Sequence, residues 1–600
     1  MGAFNGEGFL GVERSLSGRR WVARAVDARL ALALAQRLEL PEIVGRLLAQ
    51  RGVGLDAAEA YLAPTLRAQL PDPSGFRDMD RAAERLARAI RSGEEIAIFG
   101  DYDVDGATSS AVLARFFAAV GARHRTYIPD RLSEGYGPNT AALLKLARAG
   151  VRVVVTVDCG ATAHAPLADA AAAGLDVVVC DHHVGEPALP PAYAVVNPNR
   201  FDETTPHREL AAVGVAFLLA VAVNRLLRAA GWYGAGRDEP DLLRLLDLVA
   251  LGTVADVVPL TGVNRALVNQ GLRVLAQRGN PGLAALADVA GLDQRADAYH
   301  LGYVFGPRVN AGGRVGNAAL GARLLTTDDA EEARTLAREL HALNDERRAV
   351  EAAVLEAAIA QVEGRGAPGT KSPNDGALVF AAGADWHPGV IGIVAARLKE
   401  RYNRPAVVAA LADGVAKGSG RSVPGFALGE AVLAARQAGL LLNGGGHAMA
   451  AGFTAEAEQL GVLEAFLHER AAAVIGNGGV VPRLALDGAL DAGAATPELV
   501  EQIARLGPFG SANAEPRFAL PGARVMKADV VGDAHVRCIL AGVAGGRLKA
   551  IAFRALETPL GRALLERRGG SLHVAGHLRA DSWQGREGCQ LIIEDAAEPG

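Results

Sequence analysis

Acidic and histidine side chains follow three short apolar stretches of this sequence, at the point where each stretch ends. The stretches span 96–99, 153–157 and 177–180, and their β-branched content is typical of buried parallel strands. Helical patterns over 107–120 and 161–173 separate them and predict β-α-β alternation. Functional groups of an open α/β sheet collect beyond the carboxyl ends of its strands. The residues that the pattern gathers in one crevice are Asp101, Asp103, Asp105, Asp158, Asp181, His182 and His183.

Five carboxylates in one crevice would repel one another without cations, so the pattern predicts a metal site. Oxygen-rich ligands with one or two imidazoles suit Mn²⁺ or Mg²⁺ better than zinc or copper. Two such ions about 3.5–4 Å apart would activate a water and stabilise both oxygens of an in-line phosphoryl displacement. The chemistry predicted from these residues is therefore metal-assisted hydrolysis of a phosphate ester.

The first acidic run has two simpler interpretations. Asp101-x-Asp103-x-Asp105 begins like an EF-hand calcium loop, but its twelfth position is Val112 rather than Glu, and a strand precedes it. A single Asp at this place could cap the following helix, whereas three at alternating positions exceed what a cap needs. Asp256 follows an apolar helical stretch and is unremarkable by itself.

Composition predicts a multidomain globular protein, since 600 residues exceed the size of a single core. The net charge of −5 argues mildly against a nucleic-acid partner held by general electrostatics. Four cysteines without C-x-x-C spacing make disulfides and thiolate zinc sites unexpected. The apolar stretch 210–223 is too short for a bilayer and predicts a buried helix, and the N-terminus lacks signal-peptide features. We therefore expect a cytoplasmic protein without a membrane segment.

Patterns along the chain indicate several segments. Residues 1 to about 75 have the periodicity of amphipathic helices, and a long charged helix is predicted over 327–363. A break at 371–376 precedes a second α/β unit. From 480 onward, short strand-like runs alternate with Gly-rich turns, which suggests a small β-barrel.

The run Asp181-His182-His183 is the signature of the DHH phosphoesterases, and the surrounding motifs resemble those of the RecJ single-strand-specific exonucleases. The similarity extends from about residue 40 to the C-terminus. Phe99 stands where pyrophosphatases of the wider superfamily carry a His, which favours the exonuclease branch. The segments that carry the resemblance are 99–106, 127–131, 134–137, 157–160, 197–200 and 306–314.

The resemblance implies an α/β fold in which a long helix joins a DHH parallel-sheet domain to a DHHA1 α/β domain, with a C-terminal OB-type β-barrel. The implied segments are an N-terminal helical extension (1–75), the DHH catalytic domain (76–326), the connecting helix and linker (327–370), the DHHA1 substrate-binding domain (371–479) and the OB-type single-strand-binding domain (480–600).

The resemblance also implies roles for individual residues. Asp101 and His183 would be catalytic, with His183 contacting substrate or orienting a ligand. The implied ligands of two Mn²⁺ or Mg²⁺ ions are Asp103, Asp105, Asp158, His182 and Asp256. The implied phosphate-binding and nucleic-acid-binding residues are Arg131, Arg308, Asn310, Arg314, His387, Ser419, Arg421, Gly446 and His447. His387 could equally be structural.

Two further features have a functional and a structural interpretation. The glycines of 443–452 are expected to precede a helix, where backbone N–H groups would cradle phosphate, or to form a tight turn. Four aromatic residues of the barrel could stack bases or fill its core: Phe509, Phe518, Phe553 and Trp583. Residues 480–600 contain 14 basic and 14 acidic side chains, so charge does not decide between the two.

The expected function is a 5′→3′ exonuclease specific for single-stranded DNA, active in repair and recombination, with the polarity implied by resemblance. A hydrolase of short oligonucleotides or cyclic dinucleotides is one alternative, and a non-catalytic scaffold of the same fold is another. The expected partner is single-stranded DNA. The resemblance adds a single-strand-binding protein and a recombination helicase, and we expect a monomer.

Overall fold

The computed structural model describes residues 7–130, 134–234, 236–364, 376–476, 480–583 and 586–599. These residues form two compact units. The first includes Trp21–Leu343 and Ala485–Gly600, and the second includes Asn344–Leu484. The chain therefore leaves the first unit and later returns to it.

The N-terminal segment contains one strand and four short helices. The sequence pattern predicts the helices but not the strand. Asp27 caps the first helix by accepting hydrogen bonds from the N–H groups of Arg29 and Leu30. In chain order the elements are β1 (Arg20–Ala23), α1 (Ala28–Arg37), α2 (Glu42–Gln50), α3 (Ala58–Leu62) and α4 (Leu66–Gln69).

A five-stranded parallel sheet in the order β3-β2-β4-β5-β6 follows. Strands β2, β4, β5 and β6 are apolar and buried on both faces, which is why they appear in the sequence as continuous apolar runs. The edge strand β3 is polar and partly exposed. The elements are α5 (Met79–Ser92), β2 (Ile96–Gly100), α6 (Val104–Ala119), β3 (His124–Tyr127), α7 (Thr140–Arg148), β4 (Val153–Val157), α8 (His164–Ala172), β5 (Asp176–Cys180) and β6 (Ala194–Val196).

Helices cover both faces of this sheet. Ile98 packs in one core with Phe117 of α6. Its neighbour Phe99 points to the opposite face and packs with Leu143 of α7 and Leu167 of α8. The alternation of side chains along β2 therefore supports two helical layers.

A helical region follows the sheet, and its last helix begins in the first unit and ends in the second. Its elements are α9 (Ala212–Ala229), α10 (Leu246–Ala255), α11 (Gly262–Leu275), α12 (Pro281–Val289), α13 (Ala298–His300), α14 (Gly306–Val315), α15 (Ala319–Thr326) and α16 (Ala330–Gly364). A π-helical turn, Leu301–Phe305, joins α13 to α14. The long helix predicted over 327–363 is α16.

Helix α9 is the one helix of the described residues that is long and apolar enough to cross a membrane. Most of it, 72%, is buried inside the protein. It packs against α5, α6 and α10, so its apolar character is explained by its position in the core.

The second unit contains a five-stranded sheet in the order β10-β11-β9-β8-β7, in which only β7 and β8 pair in parallel among the described strands. Its elements are β7 (Val379–Ala384), α17 (Ile391–Tyr402), β8 (Ala406–Ala412), β9 (Val415–Arg421), α18 (Leu428–Gln437), β10 (Asn443–His447), β11 (Ala450–Glu456) and α19 (Leu460–Ile475).

The C-terminal segment forms a closed barrel, as its strand-like runs predict. The strand order is β13-β14-β15-β16-β18-β17, and pairing of β14 with β17 closes the five strands β14 to β18 into a barrel. Two pairings are parallel: β16 with β18 inside the barrel, and the short β13 with β14. A closed barrel of five strands is typical of an OB fold. The elements are β12 (Arg483–Leu486), β13 (Gly488–Ala489), α20 (Pro497–Ala504), β14 (Phe518–Val531), β15 (His535–Ala541), β16 (Arg547–Ala552), α21 (Pro559–Glu566), β17 (Ser571–Trp583) and β18 (Arg586–Ala597).

The N-terminal helices and the barrel share one hydrophobic core. Leu34 of α1 and Leu47 of α2 are fully buried in the same cluster as Phe518 and Leu520 of β14. Arg265 of α11 is also buried and donates hydrogen bonds to the carbonyl oxygens of residues 61, 505 and 507. The barrel is therefore packed into the first unit.

Candidate functional site

The carboxyl ends of β2, β4 and β5 place three aspartates at one edge of the parallel sheet. Asp101, Asp158 and Asp181 each follow the last residue of a strand, and all three are buried. Asp158 has a φ of 62°, in the left-handed region that Asp adopts more readily than most residues. The structure thus brings these acidic groups together, as the β-α-β pattern predicts.

Asp103 lies at the start of α6 and caps that helix. Its Oδ1 accepts hydrogen bonds from the N–H groups of Asp105 (2.9 Å) and Gly106 (3.1 Å). A Cβ at position 106 would come within 2.4 Å of the carbonyl oxygen of Asp101, so the close turn requires glycine. Asp103 therefore has the capping role as well as a place in the acidic cluster.

Asp105 is held by a second helix. Its Oδ2 accepts from the N–H of Ala212 at 2.7 Å, and its Oδ1 accepts from the N–H of Val213 at 2.9 Å. Both donors belong to the first turn of α9, where backbone N–H groups lack partners within their own helix and carry partial positive charge. The Asp105 carboxylate is therefore fixed between α6 and α9.

His182 lies at the centre of the acidic cluster. Its Nε2 is 3.4 Å from Asp158 Oδ1, 3.6 Å from Asp256 Oδ2 and 3.9 Å from Asp105 Oδ2. Asp256 follows the last residue of α10, so this helix brings another carboxylate to the strand ends. Residues far apart in the sequence thus surround a single imidazole.

Three overlapping groups of side chains have ligand atoms close enough to share a metal ion. In each group the atoms lie within 4.8 Å of one another. Asp158 belongs to two groups and His182 to two, so the groups adjoin. The groups are Asp158 with His182 and His183, Asp105 with His182 and Asp256, and Asp101 with Asp103 and Asp158.

Burial and mutual repulsion raise the pKa values of the carboxyl groups. The pKa of Asp105 lies well above its usual value because of burial, Asp256 and Asp103. The pKa of Asp158 is raised by burial and by the neighbouring aspartates. Burial, followed by the charge of Asp103, raises the pKa of Asp256 to about 7. A bound cation would offset both effects, because it replaces lost hydration and compensates the negative charge.

The donor set fits a divalent metal. Within the described part of the chain, Asp158 Oδ1 and His182 Nε2 are buried without a hydrogen-bond partner. Burial, followed by the charge of His183, lowers the pKa of His182 to about 4. A neutral imidazole is the form that binds a metal, and carboxylates with imidazole suit Mn²⁺ or Mg²⁺.

His183 differs from its neighbour because Asp181 holds it. Its Nδ1 donates to Asp181 Oδ1 at 2.8 Å, and its side chain is 43% exposed. Burial lowers the pKa of His183, but the bond to Asp181 outweighs burial and raises this pKa to about 9. Asp181 also accepts from the N–H groups of Ala161 and His182. Burial alone would raise the pKa of Asp181, but the bond to His183, the charge of His183 and the bond from Ala161 outweigh burial and lower this pKa to about 2. Asp181 is thus occupied in orienting the histidine loop.

Three residues without a predicted role also hold the backbone of the site, two at the histidine loop and one at Asp158. Asn197 donates to the carbonyl oxygen of His183 at 2.8 Å, and Asn199 donates to that of His182 at 2.7 Å. The Tyr136 hydroxyl donates to the carbonyl oxygen of Asp158 at 3.0 Å. All three lie in segments that carry the family resemblance, but nothing in their spacing indicates what they contact.

A cavity of about 280 Å³ opens beside the acidic cluster. It gives a ligand access to the carboxylates and to His183, and α14 contributes polar groups to its wall. The lining residues are Asp101, Tyr102, Asp103, Tyr136, Asp158, His183, Asp256, Asn310, Gly313 and Arg314.

Of the predicted phosphate-binding residues of the first unit, two line the cavity, one is buried and one is not described by the structure. Asn310 and Arg314 line the cavity. Arg308 is buried, and it donates to His341 Nδ1 at 3.1 Å and to the carbonyl oxygen of Val304 at 2.7 Å. The structure therefore turns Arg308 toward the interior. Arg131 lies outside the described residues.

In the second unit, Ser419 and Arg421 lie on the same face of β9. The Arg421 guanidinium donates to Ser419 Oγ at 3.3 Å and to the carbonyl oxygen of Gly420 at 2.9 Å. Burial lowers its pKa, and no carboxylate within ion-pair distance is found in the described part of this unit. His387 Nδ1 accepts from the N–H of Gly389, close to the start of α17. The guanidinium is thus available to an anion.

The expectation that the glycines of 443–452 precede a helix is wrong. Asn443–His447 is strand β10, which pairs in antiparallel fashion with β11. Gly446 has a φ of 153°, and a Cβ there would come within 2.4 Å of the carbonyl oxygen of Ala450. The glycines therefore allow a tightly packed hairpin. His447 and Arg421 both pair in register with Ala450, so this hairpin places Gly446 and His447 near Arg421.

The barrel aromatics divide between core and surface. Phe518 is fully buried, so the possibility that it stacks bases is wrong. Phe553 is 55% exposed and contacts the ring of His535 edge to face. Phe509 is partly buried against the shared core, and the Trp583 side chain lies outside what the structure describes.

Comparison with known proteins identifies three domains. The chain matches the DHH family, N-terminal domain, over residues 95–253, the DHHA1 domain over 374–473 and the RecJ OB domain over 486–595. These ranges include the strand-end aspartates and the histidine pair, the β9–β10 region and the barrel, respectively.

Relatives match over most of the chain. The single-stranded-DNA-specific exonuclease RecJ of Dickeya dadantii is 38% identical over 92% of this chain and 96% of its own length. That of Escherichia coli is 36% identical over 93% and 96%. The crystal structure of Thermus thermophilus RecJ with Mn²⁺ has a TM-score of 0.79 at 31% identity, covering 96% of this chain and 78% of that one. The chain therefore belongs to the RecJ family of single-stranded-DNA-specific exonucleases.

Proposed function

We propose that this chain is a metal-dependent exonuclease that hydrolyses phosphodiester bonds at the end of single-stranded DNA. The observation that carries the proposal is the set of three overlapping ligand groups beside an open cavity. Membership of the RecJ family supplies the substrate class. The net charge of −5 does not oppose it, because bound cations would compensate the acidic cluster.

Two divalent ions fit the cluster. Thermus thermophilus RecJ has been crystallised with Mn²⁺ and with Mg²⁺. When bound, such ions lower the pKa of a coordinated water and stabilise the charge that develops in phosphoryl displacement. We assign as their ligands Asp103, Asp105, Asp158, His182 and Asp256.

The remaining residues of the cluster position these ligands and the substrate. Asp105 is fixed by the first turn of α9, and Asp181 fixes the orientation of His183. His183 is the more exposed histidine and lines the cavity, so we assign it to the substrate phosphate. Asp101 lies with Asp103 and Asp158 in one group, and we assign it to positioning these two side chains.

Residues of α14 offer donors on the open side of the cavity. Asn310 has an amide N–H₂, and Arg314 has a guanidinium that matches the geometry of a phosphate. We assign both to the phosphate next to the bond that is cleaved. The internal hydrogen bonds of Arg308 instead favour a structural role in joining α14 to α16.

The second unit offers a separate phosphate site, for which we assign Ser419 and Arg421. The Arg421 side chain is partly buried and lies beside the start of α17, where Gly392 leaves room for it. Backbone N–H groups at a helix start also favour an anion. The same assignment includes Gly446, His447 and His387. It predicts that this region binds the terminal phosphate of the DNA strand.

Family membership supports the further properties that we propose. We propose 5′→3′ polarity, a role in DNA repair and recombination, and a cytoplasmic location. We also propose that the protein acts as a monomer and cooperates with a single-strand-binding protein and a recombination helicase. The division into the segments 1–75, 76–326, 327–370, 371–479 and 480–600 belongs to the same proposal.

The alternatives receive less support. A hydrolase of short oligonucleotides or cyclic dinucleotides has no need of a barrel, whereas this chain matches the RecJ OB domain. A non-catalytic scaffold of this fold would be expected to have lost residues that bind the metal ions. Here the ligand atoms of Asp158 and His182 are 3.4 Å apart, and both are available.

The test is digestion of end-labelled substrates by the purified full chain. Single-stranded DNA, double-stranded DNA and RNA are each incubated with Mn²⁺, Mg²⁺ or EDTA. We expect mononucleotides from single-stranded DNA with either metal and no product with EDTA. Equal digestion of duplex DNA, activity confined to dinucleotides, or hydrolysis in EDTA would contradict the proposal.

A further inference from the structure

Two tyrosines form an exposed stack next to the motif that lines the cavity. Tyr299 is 51% exposed and Tyr303 is 69% exposed, and their ring centroids lie 5.0 Å apart with the planes inclined by 29°. Aromatic rings of this size usually bury most of their surface. Here two adjacent rings leave theirs accessible to a flat ligand.

The backbone extends this stack toward the metal cluster. Tyr299 lies in α13 and Tyr303 in the π-helical turn that continues directly into α14. Leu301 and Phe305 are fully buried, so the helical segment has one buried side. Farther along, Asn310 and Arg314 line the cavity. Tyr303 and Asn310 are about two helical turns, or about 10 Å, apart. We call the run of accessible side chains from Tyr299 to Arg314 the stripe.

The other end of the stripe reaches the barrel. The guanidinium of Arg579, on β17, lies 6.0 Å from the centre of the Tyr299 ring. Glu515 holds this guanidinium through two hydrogen bonds, of 3.1 Å and 2.8 Å. The tyrosine pair therefore lies between the barrel and the cavity, within the first unit.

Charge near the tyrosines does not favour a phosphate. The guanidinium of Arg579 beside the Tyr299 ring is surrounded by Glu515 and Asp297, and Asp297 also accepts a hydrogen bond from the N–H of His300. Two carboxylates therefore compensate this guanidinium. What this part of the stripe offers is ring surface, and every nucleobase has a face that can stack on it.

We propose that Tyr299 and Tyr303 stack nucleobases of the DNA strand that passes from the barrel to the metal cavity. This inference rests on the proposed function and assigns two positioning residues to it. The tyrosines act on bases beyond the phosphate that Asn310 and Arg314 contact. Their effect therefore depends on strand length.

The test compares variants that remove the rings with variants that keep them. The double variants are Tyr299→Leu with Tyr303→Leu, and Tyr299→Phe with Tyr303→Phe. The control is Phe201→Leu, since Phe201 is 74% exposed and lies outside the stripe. Fluorescence anisotropy in EDTA gives the affinity for single strands of 2 to 20 nucleotides. Digestion with Mn²⁺ gives kcat and KM on the same strands, and thermal melting checks the fold.

Loss of stacking on one base weakens binding of long strands about 5-fold to 150-fold. We expect a loss in this range for the Leu double variant, mainly in KM, and a loss at least five-fold smaller on the dinucleotide. The Phe double variant and the Phe201 control should bind long strands as wild type does.

Three results would overturn the inference. The first is binding of long strands within two-fold of wild type by the Leu double variant. The second is an equal loss at every strand length. The third is a changed oligomeric state without loss of DNA binding, which would indicate a protein contact. If the wild-type chain failed to digest single strands, the proposed function would fail, whereas the anisotropy comparison in EDTA would still decide whether the tyrosines bind the strand.

Discussion

The Nε2 atom of His182 lies 3.4 Å from Oδ1 of Asp158, and neither atom has a hydrogen-bond partner among the described residues. Two buried polar atoms at this distance would normally be joined by a proton or be separated by a ligand. Burial holds the imidazole neutral, with its pKa lowered to about 4. The pair thus has the form expected of two ligands that face one cation.

Removing either of these ligands should abolish hydrolysis. We expect Asp158→Ala and His182→Ala to retain less than a tenth of the wild-type rate, a loss of more than about 1.4 kcal/mol of transition-state stabilisation. Digestion of end-labelled single strands with Mn²⁺ gives the rate, and circular dichroism checks the fold. A folded variant with more than a tenth of the rate would show that the assignment is wrong.

Replacing Asp158 by Asn should stabilise the metal-free protein. The pKa of Asp158 is raised, so its ionised form destabilises the folded state at pH 7, and the neutral amide relieves this. Thermal melting in EDTA should therefore show a higher Tm for Asp158→Asn than for wild type. Added Mn²⁺ should raise the Tm of wild type more than that of the variant.

The control for this comparison is Asp293→Asn, since Asp293 is exposed and distant in sequence from the cluster. Asp293→Asn should have the same Tm in EDTA as wild type, and Mn²⁺ should raise its Tm by the same amount. If Mn²⁺ raised the Tm of Asp158→Asn and of wild type equally, Asp158 would not be a metal ligand.

Arg421 should contribute to binding of a terminal phosphate. Arg421→Ala removes a guanidinium that has no carboxylate partner in the described part of its unit, so its loss should weaken binding of a 5′-phosphorylated strand. Binding of a 5′-hydroxyl strand should change much less. The two strands are compared by competition binding, with Arg470→Ala, an exposed arginine of α19, as the control. Equal losses on both strands would contradict the assignment.

Arg265 should be important for the stability of the first unit. Arg265→Met leaves the carbonyl oxygens of residues 61, 505 and 507 without this donor, and a buried unsatisfied group costs about 1–3 kcal/mol. We expect a loss of at least about 2 kcal/mol in urea unfolding. Arg273→Met, on an exposed position of the same helix, should be nearly neutral. Similar midpoints for the two variants would rule out this role.

His577 should make stability depend on pH. Its Nε2 bonds to Glu594 and its Nδ1 to the carbonyl oxygen of Pro516, and these bonds outweigh burial and raise its pKa. The protonated His577 therefore stabilises the folded state fully below about pH 6.5, the usual pKa of histidine. This stabilisation is lost as pH rises through the raised pKa of His577. Between pH 6 and 9, the Tm of wild type should fall more than that of His577→Gln.

His573 is the control for this experiment, because it lies on the same strand but burial lowers its pKa. His573→Gln should therefore change the Tm profile on the acid side and keep the fall between pH 6 and 9. Parallel profiles for wild type and His577→Gln across this range would exclude the predicted contribution.

Much of the sheet and of the acidic cluster is predictable from sequence. Asp101, Asp158 and Asp181 each end an apolar run, and parallel strands bring such ends to one edge. The orientation of the Arg308 side chain is not predictable from sequence. Its hydrogen-bond acceptors, on Val304 and His341, are brought to it by the packing of α14 against α16. The Gly-rich run 443–447 also has no side-chain periodicity, so its strand pairing could not be seen.

The sequence predicts the barrel as a separate module, but it does not predict that the barrel shares a hydrophobic core with the N-terminal helices. Leu34 and Leu47 give the N-terminal helices an apolar face, and the sequence does not indicate which element covers it. The covering residues, including Phe518, lie at the other end of the chain. A truncation before residue 480 would therefore remove most of this core along with any DNA-binding surface of the barrel.

The shared core also affects how the protein is made. Helices α1 to α3 leave the ribosome long before the strands that cover Leu34, Leu47 and Leu48 are synthesised. At about 5–20 residues per second, this apolar face waits for tens of seconds before its partner exists. During that time the nascent chain presents a surface of the kind that chaperones bind, and a ribosome stalled before β14 would leave it uncovered.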